Sequence, residues 1–549
     1  MTQNISRRTF FGTAVGAAGL LVGAWESHAQ LPLAVSASRH VDEPWIEATI
    51  PQLQRLMRAG ELTSRQLTLA YLNRIQRLDG LLGSVIETNP HAVAIAARRD
   101  NERRAGRLRG PLHGIPVLVK DNIATDDHME TTAGSLALVG SRVPQDAKIV
   151  SRLRRAGAVI LGKANLSEWA NARGFGSING WSARGGFTRD PYLLGFDPSG
   201  SSSGSAVAVA ANLCAAAIGT ETDGSILSPA GNNLVVGIKP TRGLVAQEGI
   251  IPIAHSQDTA GPIARTVVDA AILLGILQSP FGDVAGRALP DDYRRFLRRG
   301  ALQGARIGVD RRFFTPAYGG VPEINAVVER ALGAMEALGS TVVDTDTGDS
   351  LAYSFAEGTV LISELKVHLA EYLAGLSLTR IRTLADVISF NQVNCREEMK
   401  YFGQEVFELS EATSGNLMDP AYVEARALCL QLSRAEGIDA AIERDRLDAI
   451  VAPSLSFATT PAAVAGYPSI SVPVGLTDGG VPAGIWMYAG FLQESKLLAF
   501  AYDLEQELQA RKAPTFQGRV PPEPPDAGIC TASRPSLTRT IVTPFGLRT

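Results

Sequence analysis

Residues 114–122 read GIPVLVKDN, a turn followed by a short, continuously apolar run that ends in a lysine. An apolar run of this length without polar alternation predicts a strand that is buried on both faces of a sheet. A charged helical pattern around residues 149–156 then precedes AVIL at residues 158–161, a second run of the same kind. Because helices alternate with buried strands, we predict an α/β fold with a largely buried sheet.

The rest of the chain is organised around these strands. Residues 45–108 have apolar positions at helical spacing, with Thr63 as the expected N-cap of the second helix. Residues 291–445 are mostly helical in pattern and more charged, which suggests a helical insertion beside the core. We assign residues 30–515 to one domain and expect the Pro-rich tail, residues 516–549, to lack regular structure.

Composition limits the classes of function. With 549 residues, 45% of them apolar, and a formal net charge of -3, the chain can bury a large core and gives no support for a nucleic-acid partner. Seven histidines without an H-E-x-x-H pattern, and four widely spaced cysteines, predict neither a metal site nor a cofactor. Cys214 should be buried filler, and a bridge between Cys395 and Cys429 is left open.

The N-terminus carries an export pattern. SRRTFF at residues 6–11 is followed by a weakly apolar run at residues 12–25 and by a small-residue site that ends at Ala29. The run is too short to span a bilayer of about 30 Å, so we expect a twin-arginine signal at residues 1–29 rather than a membrane anchor. The expected partner is the twin-arginine translocase, and the expected location is periplasmic or secreted, without stable membrane association.

Three stretches offer a serine that could act as a nucleophile. GSSSG at residues 200–204 matches the elbow of α/β-hydrolases, but Asp197-Pro198 breaks the strand such an elbow needs, and the last histidine, His368, comes too early. SELK at residues 363–366 matches S-x-x-K, but it lies in an amphipathic helical pattern without the companion motifs. GTETDGSI at residues 219–226 is a turn whose consecutive backbone N–H groups could face an oxyanion.

Taken together, these stretches resemble the amidase signature family. The resemblance rests on GIPVLVKDN at 114–122, the Ser-rich loop at 200–205, the TDGS turn, KPT at 239–241 and QDTAGP at 257–262, and it extends from about residue 45 to residue 515. It implies a central mixed, mostly parallel twisted sheet covered by helices, and amide hydrolysis by a triad of two serines and a lysine. By motif position these are Ser225 as nucleophile, Ser201 on a cis peptide bond as proton shuttle, and Lys120 as base.

The chemistry of these roles is consistent with the residue types. A serine hydroxyl is a poor nucleophile until a base takes its proton, and a lysine is a base only when neutral, which burial favours. The expected oxyanion hole consists of backbone N–H groups, and Ser202 is a close rival of Ser201 for the cis position. The residues expected to supply these N–H groups are Thr222, Asp223, Gly224 and Ser225.

The finer substrate assignment rests on two stretches. ETDGS at residues 221–225 and LGKANLSEWAN at residues 161–171 resemble the peptide amidase branch, which removes C-terminal amides from peptides. Leu227 departs from the arginine that is common in the family, so an aryl or alkyl acylamidase remains an alternative. A tRNA-dependent amidotransferase component is disfavoured by the export pattern, and a non-catalytic binding protein is disfavoured by the complete triad. Tyr192, Trp181 and Phe187 are candidates for the entrance to the site.

Overall fold

The structure, a computed structural model, describes residues 43–530 together with two short strands near the C-terminus. The expected signal segment, residues 1–29, lies outside the described residues. In the described part, no helix has both the length and the apolar character that crossing a membrane requires.

The strands of the fold are numbered in chain order, and most of them belong to one central sheet. Their bounds are β1 Val85–Thr88, β2 Pro116–Lys120, β3 Val159–Ala164, β4 Trp181–Ser182, β5 Gly186–Phe187, β6 Ala216–Glu221, β7 Val236–Lys239, β8 Thr259–Ala264, β9 Arg306–Val309, β10 Thr341–Asp344, β11 Ala449–Pro453, β12 Ser469–Leu476, β13 Pro482–Tyr488, β14 Val542–Thr543 and β15 Gly546–Leu547.

The central sheet has eleven strands in the order β1-β3-β2-β6-β8-β7-β12-β13-β11-β9-β10. Parallel pairs form two blocks, β3-β2-β6 and β11-β9-β10, and the strands between and beside these blocks pair antiparallel. The predicted mixed sheet of an α/β fold is confirmed. The antiparallel pairs of the middle could not be read from the sequence, because a buried strand has the same apolar pattern in either direction.

Helices cover both faces of this sheet. They are α1 Ile50–Ala59, α2 Ser64–Leu82, α3 Ala92–Arg104, α4 Lys148–Arg155, α5 Ser203–Ala210, α6 Leu227–Asn232, α7 Val267–Leu277, α8 Pro322–Ala337, α9 Ser354–Ala374, α10 Leu384–Val393, α11 Cys395–Glu398, α12 Glu405–Glu411, α13 Pro420–Leu430, α14 Asp439–Asp445, α15 Thr460–Ala465 and α16 Glu494–Leu508. Thr63 is the N-cap of α2, as predicted, and its hydroxyl accepts the N–H of Gln66.

The region 291–445 contains more than helices. From α9 to α14 it is helical, but β9 and β10 lie within it and extend the central sheet at one edge. Each of these strands has only four residues, which is too short for a period of two to stand out against the neighbouring helical pattern. The insertion is therefore partly continuous with the main sheet.

Helix α5 is buried along its whole length because its side chains are small. Gly204 in its first turn is required by this packing, since a Cβ there would lie 2.4 Å from the carbonyl oxygen of Ser84 and 2.5 Å from that of Asn165. A side-chain movement could not relieve either contact, because both are to backbone oxygen atoms. The close approach fixes the start of α5, and with it the Ser-rich loop that precedes the helix.

The structure contains a disulfide that the sequence analysis did not consider. Cys395 forms a disulfide with Cys530, and Cys429 is a buried free thiol, as is Cys214. The Cys395–Cys429 bridge that the sequence left open is not formed, and Cys429 packs inside a cluster between α9 and α13. The tail instead runs beside α11, where the Ala527 N–H donates to the carbonyl of Lys400.

We predict that peptide mapping without reduction finds Cys395 linked to Cys530. Cys530→Ser should remove the linked peptide and lower the free energy of unfolding by about 2–4 kcal/mol, because the bond closes a long loop of the unfolded chain. Cys429→Ser is the matched control and should keep the linked peptide. A linked peptide that contains Cys429 in the wild-type protein would contradict the structure.

Candidate active site

Lys120 occupies the carboxyl end of β2, where the parallel neighbour β6 also ends. Its side chain is fully buried. The amine Nζ lies 2.7 Å from Ser201 Oγ and 3.1 Å from Ser202 Oγ. From β6, Thr220 contributes its Oγ1 at 2.9 Å and its carbonyl oxygen at 3.3 Å. The strand order therefore brings the predicted lysine into direct contact with the predicted serine.

Burial lowers the pKa of Lys120 to about 7, because the charged ammonium form loses its hydration. The carboxyl groups of Glu221 and Asp258 act in the opposite direction, but they do not offset the desolvation. Near neutral pH a substantial fraction of this lysine is thus a neutral amine with a lone pair. The arrangement meets the chemical requirement for a general base.

Ser201 lies in the loop between β5 and α5, and the peptide bond between Gly200 and Ser201 is cis. The cis position therefore belongs to Ser201 and not to its rival Ser202. Ser202 instead donates its hydroxyl to the carbonyl of Thr220, 3.0 Å away. Its backbone N–H donates to the carbonyl of Ser225 at 3.1 Å, which fixes the Ser-rich loop against the next segment.

Ser225 lies in the turn between β6 and α6, and 8% of its surface is exposed. Gly224 before it has a φ of 74°, a left-handed conformation that favours glycine. Within residues 43–530, the backbone N–H groups of Asp223, Gly224 and Ser225 donate to no acceptor of the protein. In the same range, Ser201 Oγ and Ser225 Oγ are not hydrogen-bonded to each other.

Two carboxylates hold this turn in place. Glu221 Oε2 accepts the N–H groups of Ile226 and Leu227, at 2.7 Å and 3.0 Å. On the other side, Thr222 Oγ1 donates to Asp258 Oδ1 at 2.6 Å. These contacts fix both ends of the turn that carries the unpaired N–H groups of Asp223, Gly224 and Ser225.

Several contributors to this environment were not predicted from the sequence. Thr220 Oγ1 accepts from both Lys120 and Asn122, and Lys239 is fully buried near Glu221. Asn122 belongs to the quoted stretch 114–122, so it could have been included. Thr220 and Lys239 carry no local signal, since their roles depend on which strands are neighbours.

A cleft of about 310 Å³ opens in front of Ser225. Polar groups line its floor, including the turn at residues 222–225 and Gly200, whereas α9 and the β11–α15 segment supply apolar walls. The apolar wall residues include Phe175, Ile253, Leu361, Ile362, Leu365, Val406, Leu455, Phe457 and Trp486.

The aromatic residues suggested for the entrance lie elsewhere. Tyr192 is buried, and its hydroxyl donates to the carbonyl of Lys512 at 2.5 Å. Trp181 packs against Tyr401 and Phe402, with ring centroids 5.3 Å apart in each pair, and Phe187 joins this group. These rings fasten the segment around β4 and β5 to the structure and do not line the cleft.

The structure also shows the surroundings of the two alternative serine motifs. In SELK, Ser363 Oγ donates to the carbonyl of Thr359 within α9, and Lys366 Nζ donates to the carbonyls of Glu411 and Thr413. The serine and the lysine therefore have separate backbone partners and do not form a pair. The GSSSG stretch leads into α5 without a strand directly before it, so it is not a hydrolase elbow.

Comparison with known proteins gives matches over most of the chain. Residues 66–460 match the family model described as Amidase. A chain of Arabidopsis thaliana described as a probable amidase is 42% identical over 492 residues, which is 86% of this chain and 92% of that one. A putative amidase of Schizosaccharomyces pombe is 38% identical over 511 residues, which is 86% of this chain and 87% of that one.

The fold is also found among solved structures. The native peptide amidase of Stenotrophomonas maltophilia is similar with a TM-score of 0.81 at 48% sequence identity. The match covers 86% of this chain and 100% of that one.

The contacts of Glu221 generate a stability prediction. Glu221→Ala leaves two buried N–H groups without their acceptor and removes a carboxylate near Lys239, so the free energy of unfolding should fall by about 2–4 kcal/mol. Denaturant unfolding measures this change. Glu248, which is 62% exposed, provides the control, and its replacement by alanine should change stability by less than about 0.5 kcal/mol. Equal stability of both variants would contradict the role of Glu221.

Proposed function

The chain belongs to the amidase signature family and is an amide-hydrolysing enzyme, and we propose that it removes C-terminal amides from peptides through Ser225, Ser201 and Lys120. The single observation that carries the proposed triad is the fully buried Lys120 amine, 2.7 Å from Ser201 Oγ. A lysine with a pKa of about 7 in contact with a serine has the properties of a base at the start of a proton relay.

The proposed acylation step begins with two proton transfers. Neutral Lys120 takes the proton of the Ser201 hydroxyl, and Ser201 takes the proton of Ser225, whose Oγ forms a bond to the amide carbonyl carbon. In structures without substrate, catalytic hydrogen bonds are often long and shorten only when substrate binds. The missing hydrogen bond between Ser201 and Ser225 is consistent with this behaviour. The N–H groups of Asp223, Gly224 and Ser225 have no protein acceptor within residues 43–530, and they, with Thr222, would stabilise the oxyanion.

The intermediate then breaks at its carbon–nitrogen bond. Ser201 donates a proton to the leaving nitrogen, which departs as ammonia from a primary amide, and Lys120 returns its proton to Ser201. The product is an acyl ester on Ser225. A water molecule attacks this ester while the same lysine and serine accept its proton, and the carboxylic acid and the free Ser225 hydroxyl are released.

Two observations support peptides as the substrate class. The match to a peptide amidase covers all of that chain at 48% identity. The cleft combines a polar floor at Ser225 with apolar walls from α9 and the β11–α15 segment, which suits a substrate with a primary amide at one end and side chains behind it. Aryl and alkyl amides would use the same reaction steps, so a substrate panel separates the two assignments.

We also propose export through the twin-arginine translocase to the periplasm or the exterior. The support is the pattern SRRTFF followed by a short apolar run before Ala29. The Cys395–Cys530 disulfide fits this assignment, because such bonds persist mainly in oxidising compartments.

We predict that the purified protein releases ammonia from peptide amides and that Ser225→Ala reduces the rate by at least about 10³-fold, because the nucleophile is lost. Ser363→Ala is the control for the alternative S-x-x-K motif and should keep the wild-type rate. Undiminished activity of Ser225→Ala would exclude the proposed nucleophile. Activity on anilides but not on peptide amides would keep the mechanism and replace the substrate.

The pKa of Lys120 generates a pH prediction. The neutral amine is the active form, so kcat/KM should fall as the pH decreases through about 7. Lys120→Arg keeps the position charged at all working pH values and should lower kcat/KM by about 10²–10⁴-fold. Lys366→Arg, in the rejected motif, should leave the rate unchanged. A Lys120→Arg variant that is folded and fully active would refute the assigned base.

A further inference from the structure

Two histidines stack against each other beside the cleft. His255 lies in the loop between β7 and β8, and His368 lies on α9. Their ring centroids are 3.8 Å apart and their planes differ by 18°. Residues far apart in the sequence, on two different elements, thus bring four ring nitrogens into one small region.

A carboxylate completes the group. Glu371 follows His368 by three positions on α9, so both side chains emerge from the same face of the helix. One ligand atom from each of His255, His368 and Glu371 lies within 4.8 Å of the others. In the described part of the chain this is the one group of three or more such side chains with that spacing.

The Nδ1 atom of His368 already has partners in the protein. The backbone N–H of His255 donates to Nδ1 of His368 at 3.3 Å, and Glu364 Oε2 lies 3.5 Å from the same nitrogen. Among the described residues Nε2 has no such partner. In the structure Nδ1 accepts this N–H, so a metal ion bound at Nε2 requires the ring proton to move to Nδ1, where Glu364 Oε2 can accept it.

We propose that His255, His368 and Glu371 bind one divalent transition-metal ion, with Zn²⁺ the ion of best chemical fit. Two imidazoles and one carboxylate are typical donors for zinc and are too few and too nitrogen-rich for Ca²⁺ or Mg²⁺. Tetrahedral zinc needs donor atoms about 3.3 Å apart with lone pairs that converge on the ion, so the two stacked imidazoles must rotate out of their parallel arrangement. The Glu371 side chain is exposed, so its carboxylate can move toward the two rings.

The position of the site gives binding a structural consequence. The His255 loop also carries Ile253 in the cleft wall and Asp258, which holds Thr222. Helix α9 contributes Leu365 to the lining of the same cleft. A metal ion between His255 and His368 would connect these two parts of the cleft through a site that is separate from the reacting groups.

The test is calorimetric titration of Zn²⁺ into the tag-free, chelator-treated full-length protein. We expect one Zn²⁺ per chain, and we expect His255→Gln, His368→Gln and Glu371→Gln each to weaken binding at least about tenfold. His128→Gln is the matched control, since His91 and His128 also form a close pair, with ring centroids 4.6 Å apart. This control should bind Zn²⁺ like the wild-type protein.

Co²⁺ provides a second readout that loss of folding would not imitate. The wild-type complex should show visible absorption bands of nitrogen- and oxygen-bound Co²⁺, and Glu371→Gln, an exposed and conservative change, should alter them. The proposal is overturned if the wild-type protein binds no Zn²⁺ at about 100 μM, or if the three variants bind as tightly as the wild type. Loss of binding in His128→Gln would also overturn it, since the site would then lie elsewhere.

Discussion

Burial of the Lys120 amine at the carboxyl end of β2 imposes a constraint on everything around it. A lysine removed from water must either lose its proton or find several acceptors, because an isolated buried charge is very costly. Here Ser201, Ser202 and Thr220 surround the amine, and the parallel pairing of β2 with β6 delivers Thr220 to the same edge. The Ser-rich loop and the pairing of β2 with β6 therefore both serve to surround the buried amine with polar groups.

Small residues make this arrangement sterically feasible. The loop at residues 199–202 reaches Lys120 because the helix that follows it, α5, enters the interior. Helix α5 can do so because its side chains are small and because Gly204 has no side chain where it contacts the backbone of Ser84 and Asn165. Interiors are packed as densely as organic crystals, so one added methyl group at this contact would move the serines relative to the lysine. The precision of the polar cluster thus depends on apolar packing behind it.

Short contiguous stretches supplied the candidate residues of the site, but they did not indicate its surroundings. Each residue of the proposed triad lies within a short motif, namely GIPVLVKDN, GSSSG or GTETDGSI. The structure brings Lys120, Ser201 and the turn at residues 222–225 together. The walls of the cleft, the strands β9 and β10, and the partner of Cys395 depend on contacts between distant segments. No local pattern encodes such contacts, and the aromatic residues nearest the motifs, such as Tyr192, proved to be packing elements.

The Cys395–Cys530 bond has a topological meaning beyond its contribution to stability. With a sequence separation of 135, it makes the part of the chain from α11 to the tail a closed covalent ring. This ring contains β11, β12, β13 and Trp486, which is part of the cleft wall. It also contains Met418, which lies between α12 and α13 with 78% of its surface accessible. A protease that cuts the backbone there opens the ring without releasing either piece, so a nicked molecule keeps all of its parts as long as the surroundings stay oxidising.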